Sequence, residues 1–163
     1  MGKKFTMERS IVFKSDLKTV LKVLLETENY PNYIDSIQSA NVISQNGNDS
    51  EVSYKAKISV FPFEYTIETV KKSDTHIIFK QKKGFFSLLD GEWKLEESNG
   101  QVNADYIIHV KLPLLAVGKV VDKAMDLYFP GMLNDFKSEI ESQFNKNKAW
   151  KKINLMRGGS KWI

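Results

Sequence analysis

The chain contains no cysteine, which removes disulfides, thiolate metal sites and cysteine nucleophiles together. Arginine is nearly absent, two residues (Arg9 and Arg157) against 22 lysines, so the guanidinium fork that reads phosphate or guanine is scarce. Histidine occurs twice, at His76 and His109. No apolar run approaches the roughly 18 residues needed to cross a bilayer, and the start MGKKFTMERS has no apolar signal core. Those two absences predict a cytoplasmic protein. H-E-x-x-H, G-x-S-x-G and P-loop patterns are missing, as are His, Asp and Glu clustered at metal-ligand spacing. No metal, cofactor or catalytic residue is therefore predicted. The one glycine pair, Gly158-Gly159, lies away from any strand-to-helix turn and reads as a flexible joint.

What is present is ordinary in bulk and uneven in charge. At 163 residues, 42% hydrophobic and 27% charged, the chain predicts one globular domain. The net charge is +4, yet residues 145–163 alone hold six basic side chains and no acid. The other 144 residues carry 18 basic and 20 acidic groups, a net of −2, which argues against a nucleic-acid surface on the body. The expected division is a folded domain over 1–145 and a basic C-terminal tail over 146–163. Trp150, Ile153, Leu155, Met156, Trp162 and Ile163 interleave with the tail's lysines. That mixture predicts peripheral contact with an anionic membrane. A packed helix extension or a solubilising end is the plainer alternative.

Along the chain the hydrophobic period changes twice. Phe5 to Phe13 alternates as a strand. Ser15-Asp16 offers an N-cap, and Leu17, Val20, Leu21 and Leu24 follow at helical spacing. Pro31 is expected to open a second short helix through Ile34 and Ile37. From about Gln38 to Pro113 the period is two, with Val52, Tyr54, Ala56 and Ile58 alternating with Ser53, Lys55 and Lys57. Six antiparallel strands with one wet face follow from that pattern. Turns are expected at Asn46-Gly47-Asn48-Asp49, Phe61-Pro62, Lys72-Ser73-Asp74 and Ser98-Asn99-Gly100, with a longer link marked by Gly84 and Asp90-Gly91. After Pro113 the period returns to 3.6 through Leu114, Val117, Val121, Met125 and Tyr128, then Leu133, Phe136, Ile140 and Phe144. Pro130-Gly131 is expected to kink or break that helix.

Three stretches carry a resemblance. Glu26-Thr27-Glu28-Asn29-Tyr30-Pro31-Asn32-Tyr33 resembles a "D-x-x-x-Y-P-x-F" helix junction. Gly84-Phe85-Phe86-Ser87-Leu88-Leu89-Asp90-Gly91-Glu92-Trp93-Lys94-Leu95 resembles a "G-P-F-x-x-L-x-G-x-W-x-F" hairpin. Pro130-Gly131-Met132-Leu133 sits where such chains break their last helix. Together with the element order, these are similar to the START-like helix-grip (SRPBCC) superfamily, in its coenzyme Q-binding and polyketide cyclase/dehydrase branch. The similarity spans about residues 5–145, with Phe85 standing where the hairpin pattern has proline. It implies an α+β fold, a curved seven-stranded antiparallel sheet around a long C-terminal helix with two short helices after the first strand. It also implies an apolar cavity between sheet and helix for a quinone, lipid or polyketide-like molecule.

By alternation the inward strand residues are Tyr54, Ile58, Phe63, Tyr65, Ile67, Phe79, Trp93, Leu95, Tyr106 and Ile108, faced by Val117, Val121, Met125, Tyr128, Phe129 and Met132. All but Ile67 and Val117 are candidate ligand-binding residues. Core packing alone accounts for any one of them. Two features favour a cavity. Tyr54, Tyr65, Tyr106 and Tyr128 bring hydroxyls that need partners, and Met125 and Met132 suit an adaptable wall. An aromatase/cyclase enzyme would need an inward acid or base, and Arg9, Glu92, Asp105 and His109 are the candidates. Alternation turns the last three outward, so binding or transport is favoured over catalysis. The third reading is a ribosome-association interaction protein whose tail touches RNA.

Overall fold

The computed structural model describes residues 4–58, 60–113 and 119–157, excepting the side chains of 119–121 and 124. Strand β1 (Lys4–Phe13) leads into helix α1 (Leu17–Leu25) and a 3-10 helix (Thr27–Asn32). Six strands follow: β2 (Ile37–Asn46), β3 (Asp49–Ile58), β4 (Phe61–Ser73), β5 (His76–Gly84), β6 (Leu88–Ser98) and β7 (Gln101–Lys111). Helix α2 (Lys119–Met156) completes the fold. The strands form one curved antiparallel sheet in the order β1-β7-β6-β5-β4-β3-β2. The α+β helix-grip architecture expected from the sequence is the one observed.

Local chemistry places each element. Asp16 caps α1, its carboxylate accepting the Thr19 N–H at 2.9 Å. The Leu17 N–H donates to the Glu97 carboxylate at 2.7 Å, which ties the start of α1 to the end of β6. Glu97 is thus more than the solvated turn acid its sequence neighbourhood suggests. At the other end of α1 the Tyr30 hydroxyl donates to the Leu24 carbonyl, one of the acceptors a helix C-terminus leaves open. Asn99 and Gly100 both have positive φ (53° and 77°) between β6 and β7, the two-residue turn whose twist suits a hairpin. Two contacts fasten β1 to α2. The Lys14 N–H donates to Glu141 at 2.8 Å, and Lys137 Nζ donates to the Val12 carbonyl at 2.8 Å.

Several expectations need correction. Helix α2 runs without interruption through Pro130 and Gly131 to Met156. Proline there removes one backbone bond to the carbonyl four residues back, but apolar residues on both sides hold the helix to the same core. Leu133, Phe136 and Ile140 beyond Pro130 are buried like Met125, Tyr128 and Phe129 before it. Residues 146–156, for which the sequence left a helix extension open, are helical as part of α2. The second short helix is a 3-10 helix that contains Pro31 rather than starting there; Ile34 lies outside it and Ile37 begins β2. Phe61-Pro62 opens β4, and Asp90-Gly91 lies inside β6, leaving only residues 85–87 to link β5 and β6. Leu114 and Val117 fall outside the described residues.

Candidate functional site

Between the inner face of the sheet and the helices lies a cavity of about 80 Å³. Every strand from β2 to β7 contributes to its wall: Ile37, Tyr54, then Tyr65, Ile67 and Thr69, then Ile77 and Phe79, then Leu89 and Trp93, then Tyr106 and Ile108. Helix α1 supplies Leu24, the 3-10 helix Thr27 and Tyr30, and α2 Phe129, Met132 and Phe136. Aromatic rings make up much of this wall. Trp93 packs on Tyr106 with ring centroids 4.4 Å apart, and Phe79 stacks on the same tyrosine at 5.9 Å. Tyr30 stacks on Tyr54 at 6.0 Å and meets Phe136 edge-on at 5.1 Å. Gly91, opposite Phe79 in the β5–β6 register, makes that layering possible. A Cβ at Gly91 would sit 2.5 Å from the Phe79 ring and 2.3 Å from the Ile107 carbonyl.

Among the described residues the wall holds no Asp, Glu, Lys, Arg or His. Its polar atoms are hydroxyls and one indole N–H. Burial pushes the phenols of Tyr30, Tyr54, Tyr65 and Tyr106 well above their ordinary range, so all four stay protonated. The Tyr65 and Tyr128 hydroxyls bond each other at 2.6 Å, and Tyr54 has the Thr27 side chain as its partner. The Tyr33 hydroxyl, buried and without a partner among the described residues, lies off the wall.

Eight of the candidate residues read from the sequence meet around this cavity: Tyr54, Tyr65, Phe79, Trp93, Tyr106, Ile108, Phe129 and Met132. Phe63, Leu95, Met125 and Tyr128 are buried but do not line it, and Ile58 is half-buried near the end of β3. The Val121 side chain falls outside the described part. The wall also includes Leu24, Thr27, Tyr30, Ile37, Thr69, Ile77, Leu89 and Phe136, none of them a sequence candidate, and Ile67, which alternation places inward. Thr69 could have been found as the next inward position after Ile67. Tyr30 was hidden because its Tyr-Pro junction reads as purely structural.

The charged candidates lie on the other side of the sheet. His76 Nε2 and Glu92 are 2.7 Å apart, and this bond holds the Glu92 carboxyl below its usual range. Ser10 donates to Asp105 at 2.8 Å, and Thr6 Oγ1 lies 3.3 Å from His109 Nδ1. An open depression of about 470 Å³ lies there between Glu8, Arg9, Ser10, Glu92, Lys94 and Asp105. Most of those side chains are exposed, and Glu92 and Asp105 already have partners, so it lacks the enclosure of a small-molecule site. Among the described residues no three His, Asp or Glu side chains converge on one point, and no helix is long and apolar enough to cross a membrane.

A family model described as polyketide cyclase/dehydrase and lipid transport matches residues 15–137. No curated protein matches the chain. Among solved structures, a Thermus thermophilus protein superposes with a TM-score of 0.75 at 14% identity, covering 85% of this chain and 99% of its own. The Zhui aromatase/cyclase of a Streptomyces species gives 0.71 at 9% identity, covering 88% and 95%. A START superfamily protein of Mycobacterium smegmatis gives 0.69 at 12% identity, covering 86% and 97%. At these identities the likenesses establish the shared fold. With the family match spanning most of its length, this chain belongs to the polyketide cyclase/dehydrase and lipid transport family.

Proposed function

We propose that the protein binds an uncharged hydrophobic molecule in the cavity between sheet and α2, and carries or presents it without transforming it. An isoprenoid quinone, a lipid or a polyketide-like compound fits the description. The observation that carries this reading is the wall itself, which among the described residues has no acid or base able to exchange a proton near neutral pH. The aromatase/cyclase among the solved relatives makes catalysis the rival reading. It would need an inward ionisable group, and Glu92, Asp105 and His109 alternate with the inward Trp93, Tyr106 and Ile108. A ligand must also enlarge the space, since 80 Å³ falls short of the roughly 300–1,000 Å³ of typical small-molecule sites. Met132 is only partly buried on the wall and, unbranched, is the side chain best able to yield. Native mass spectrometry of freshly purified protein should detect a bound apolar molecule, and Met132→Trp should lose it while remaining folded. Retention by the folded variant, or a molecule carrying a net charge, would overturn the reading.

The last turns of α2 supply a place to exchange such a ligand with a membrane. Trp150, Ile153 and Met156 are exposed, and at 3.6 residues per turn they fall within about 120° of one another. Lys148, Lys151 and Lys152 fall on the opposite side, and no acid occurs from residue 145 onward. A basic helix with an apolar stripe suits the headgroup region of an anionic bilayer.

A further inference from the structure

Among the described residues the wall of the cavity is uncharged but carries polar atoms. Three of its four tyrosine hydroxyls are engaged within the protein, Tyr30 by the Leu24 carbonyl, Tyr54 by Thr27 and Tyr65 by Tyr128. The fourth, on Tyr106, has no partner among the described residues, although the residue is 6% exposed and lines the cavity. The indole N–H of Trp93 is in the same position: the residue is 5% exposed, lines the cavity and has no hydrogen-bond acceptor among the described residues. The two rings are neighbours, their centroids 4.4 Å apart. Among the described residues only the Tyr33 hydroxyl is fully sealed without a partner, so these two donors on adjacent rings keep some accessible surface on the wall of the cavity, where an acceptor supplied by the occupant would satisfy them. A carbonyl oxygen, with two lone pairs and no charge, has the capacity for both. A carboxylate would also accept, but it would be buried in a wall whose described residues offer no counter-ion.

We infer that Trp93 and Tyr106 form a hydrogen-bonding subsite for the carbonyl oxygen of a flat, uncharged ligand. The inference rests on the proposed ligand-binding function and narrows it, since it selects neutral ketones over both plain hydrocarbons and fatty-acid-type anions. Phe79, stacked on Tyr106 with an interplanar angle of 22°, extends the flat surface against which such a ligand lies.

Three naphthalenes of similar shape separate the terms: 2-acetylnaphthalene, 2-ethylnaphthalene and 2-naphthoate, titrated calorimetrically at pH 7. The wild-type protein should bind the ketone about tenfold more tightly than the ethyl compound, the factor two modest hydrogen bonds supply, and the naphthoate most weakly. Tyr106→Phe keeps the ring and removes the hydroxyl. With the Trp93 bond remaining, it should cut the ketone's advantage to about threefold and leave the ethylnaphthalene dissociation constant unchanged. If the ethyl compound binds as tightly as the ketone, or the variant weakens both equally, the subsite is refuted while the cavity stands as a hydrophobic site. Tightest binding of the naphthoate refutes the preference for a neutral ligand. Binding of none of the three overturns the subsite together with the ligand-binding reading.

Discussion

Truncating Trp93 to alanine tests the packing of sheet against helix most directly. The indole is 5% exposed, and the rings of Tyr106, Phe136 and Phe13 lie at centroid distances of 4.4, 6.0 and 6.2 Å. A buried tryptophan withdraws on the order of 200 Å² from water, which at about 25 cal/mol per Å² is about 5 kcal/mol. The denatured chain already shields part of that area, so about 4 kcal/mol is expected, within the usual range for Trp→Ala in a core. The indole also borders an existing cavity, so its removal enlarges that space rather than opening a new one. With a urea dependence of about 2 kcal/mol per molar, the unfolding midpoint should fall by about 2 M. Far-UV circular dichroism is the assay, because the substitution itself changes the fluorescence. Trp93→Phe keeps a ring against Tyr106 and should recover more than half of the loss. A shift below about 0.3 M for the alanine variant would mean that the indole is not buried and that β6 is out of phase by one residue.

Tyr65→Phe should cost about 1–2 kcal/mol in thermal or urea unfolding, because it strands the buried Tyr128 hydroxyl. Tyr65→Phe/Tyr128→Phe should be more stable than that single variant, and a further loss instead would show that the hydroxyl pair is not isolated. Glu92 has a folded-state pKa below its unfolded one, so its stabilisation is present above the unfolded value of about 4.3 and is lost as pH falls through the folded value. Glu92→Gln should therefore flatten the acid limb of the stability profile and leave its shape above pH 6 unchanged; an unaltered acid limb counts against the His76 bond. For the end of α2, co-sedimentation with vesicles should rise with anionic lipid and fall with salt. Trp150→Ser/Ile153→Ser should weaken it severalfold, and undiminished binding would redirect attention to the lysines of the strands.

The sheet was legible in the sequence because one wet face imposes alternation. Val102, Ala104, Tyr106, Ile108 and Val110 are all buried, and Trp93 and Leu95 are buried on the same logic. Alternation states which face a side chain occupies, not how far along the strand the cavity reaches. Tyr54 pairs with Tyr65 and both line it, whereas Phe63, two residues nearer the hairpin, packs on Phe85 and Tyr128 instead. Leu24, Thr27 and Tyr30 reach the wall through the docking of α1 and the 3-10 helix, a long-range event with no local signature. Pro130 misled because its local effect on a helix is strong, while the packing that overrides it is tertiary.

The strand order has a consequence for how the chain acquires this shape. From β2 to β7 each strand lies beside its successor, and the connections are as short as two residues, so the meander can grow hairpin by hairpin. Strand β1 is different: its partner is β7, with Met7 opposite Ile108. Closing a loop of about 100 residues costs about 4 kcal/mol of chain entropy, against about 1 kcal/mol for a hairpin turn. Docking of β1 is therefore the slow, non-local step that limits the folding rate. The bonds from Val12 and Lys14 to Lys137 and Glu141 make it arrive together with α2. A nascent chain thus exposes the inner face of its meander until the final helix is available to cover it.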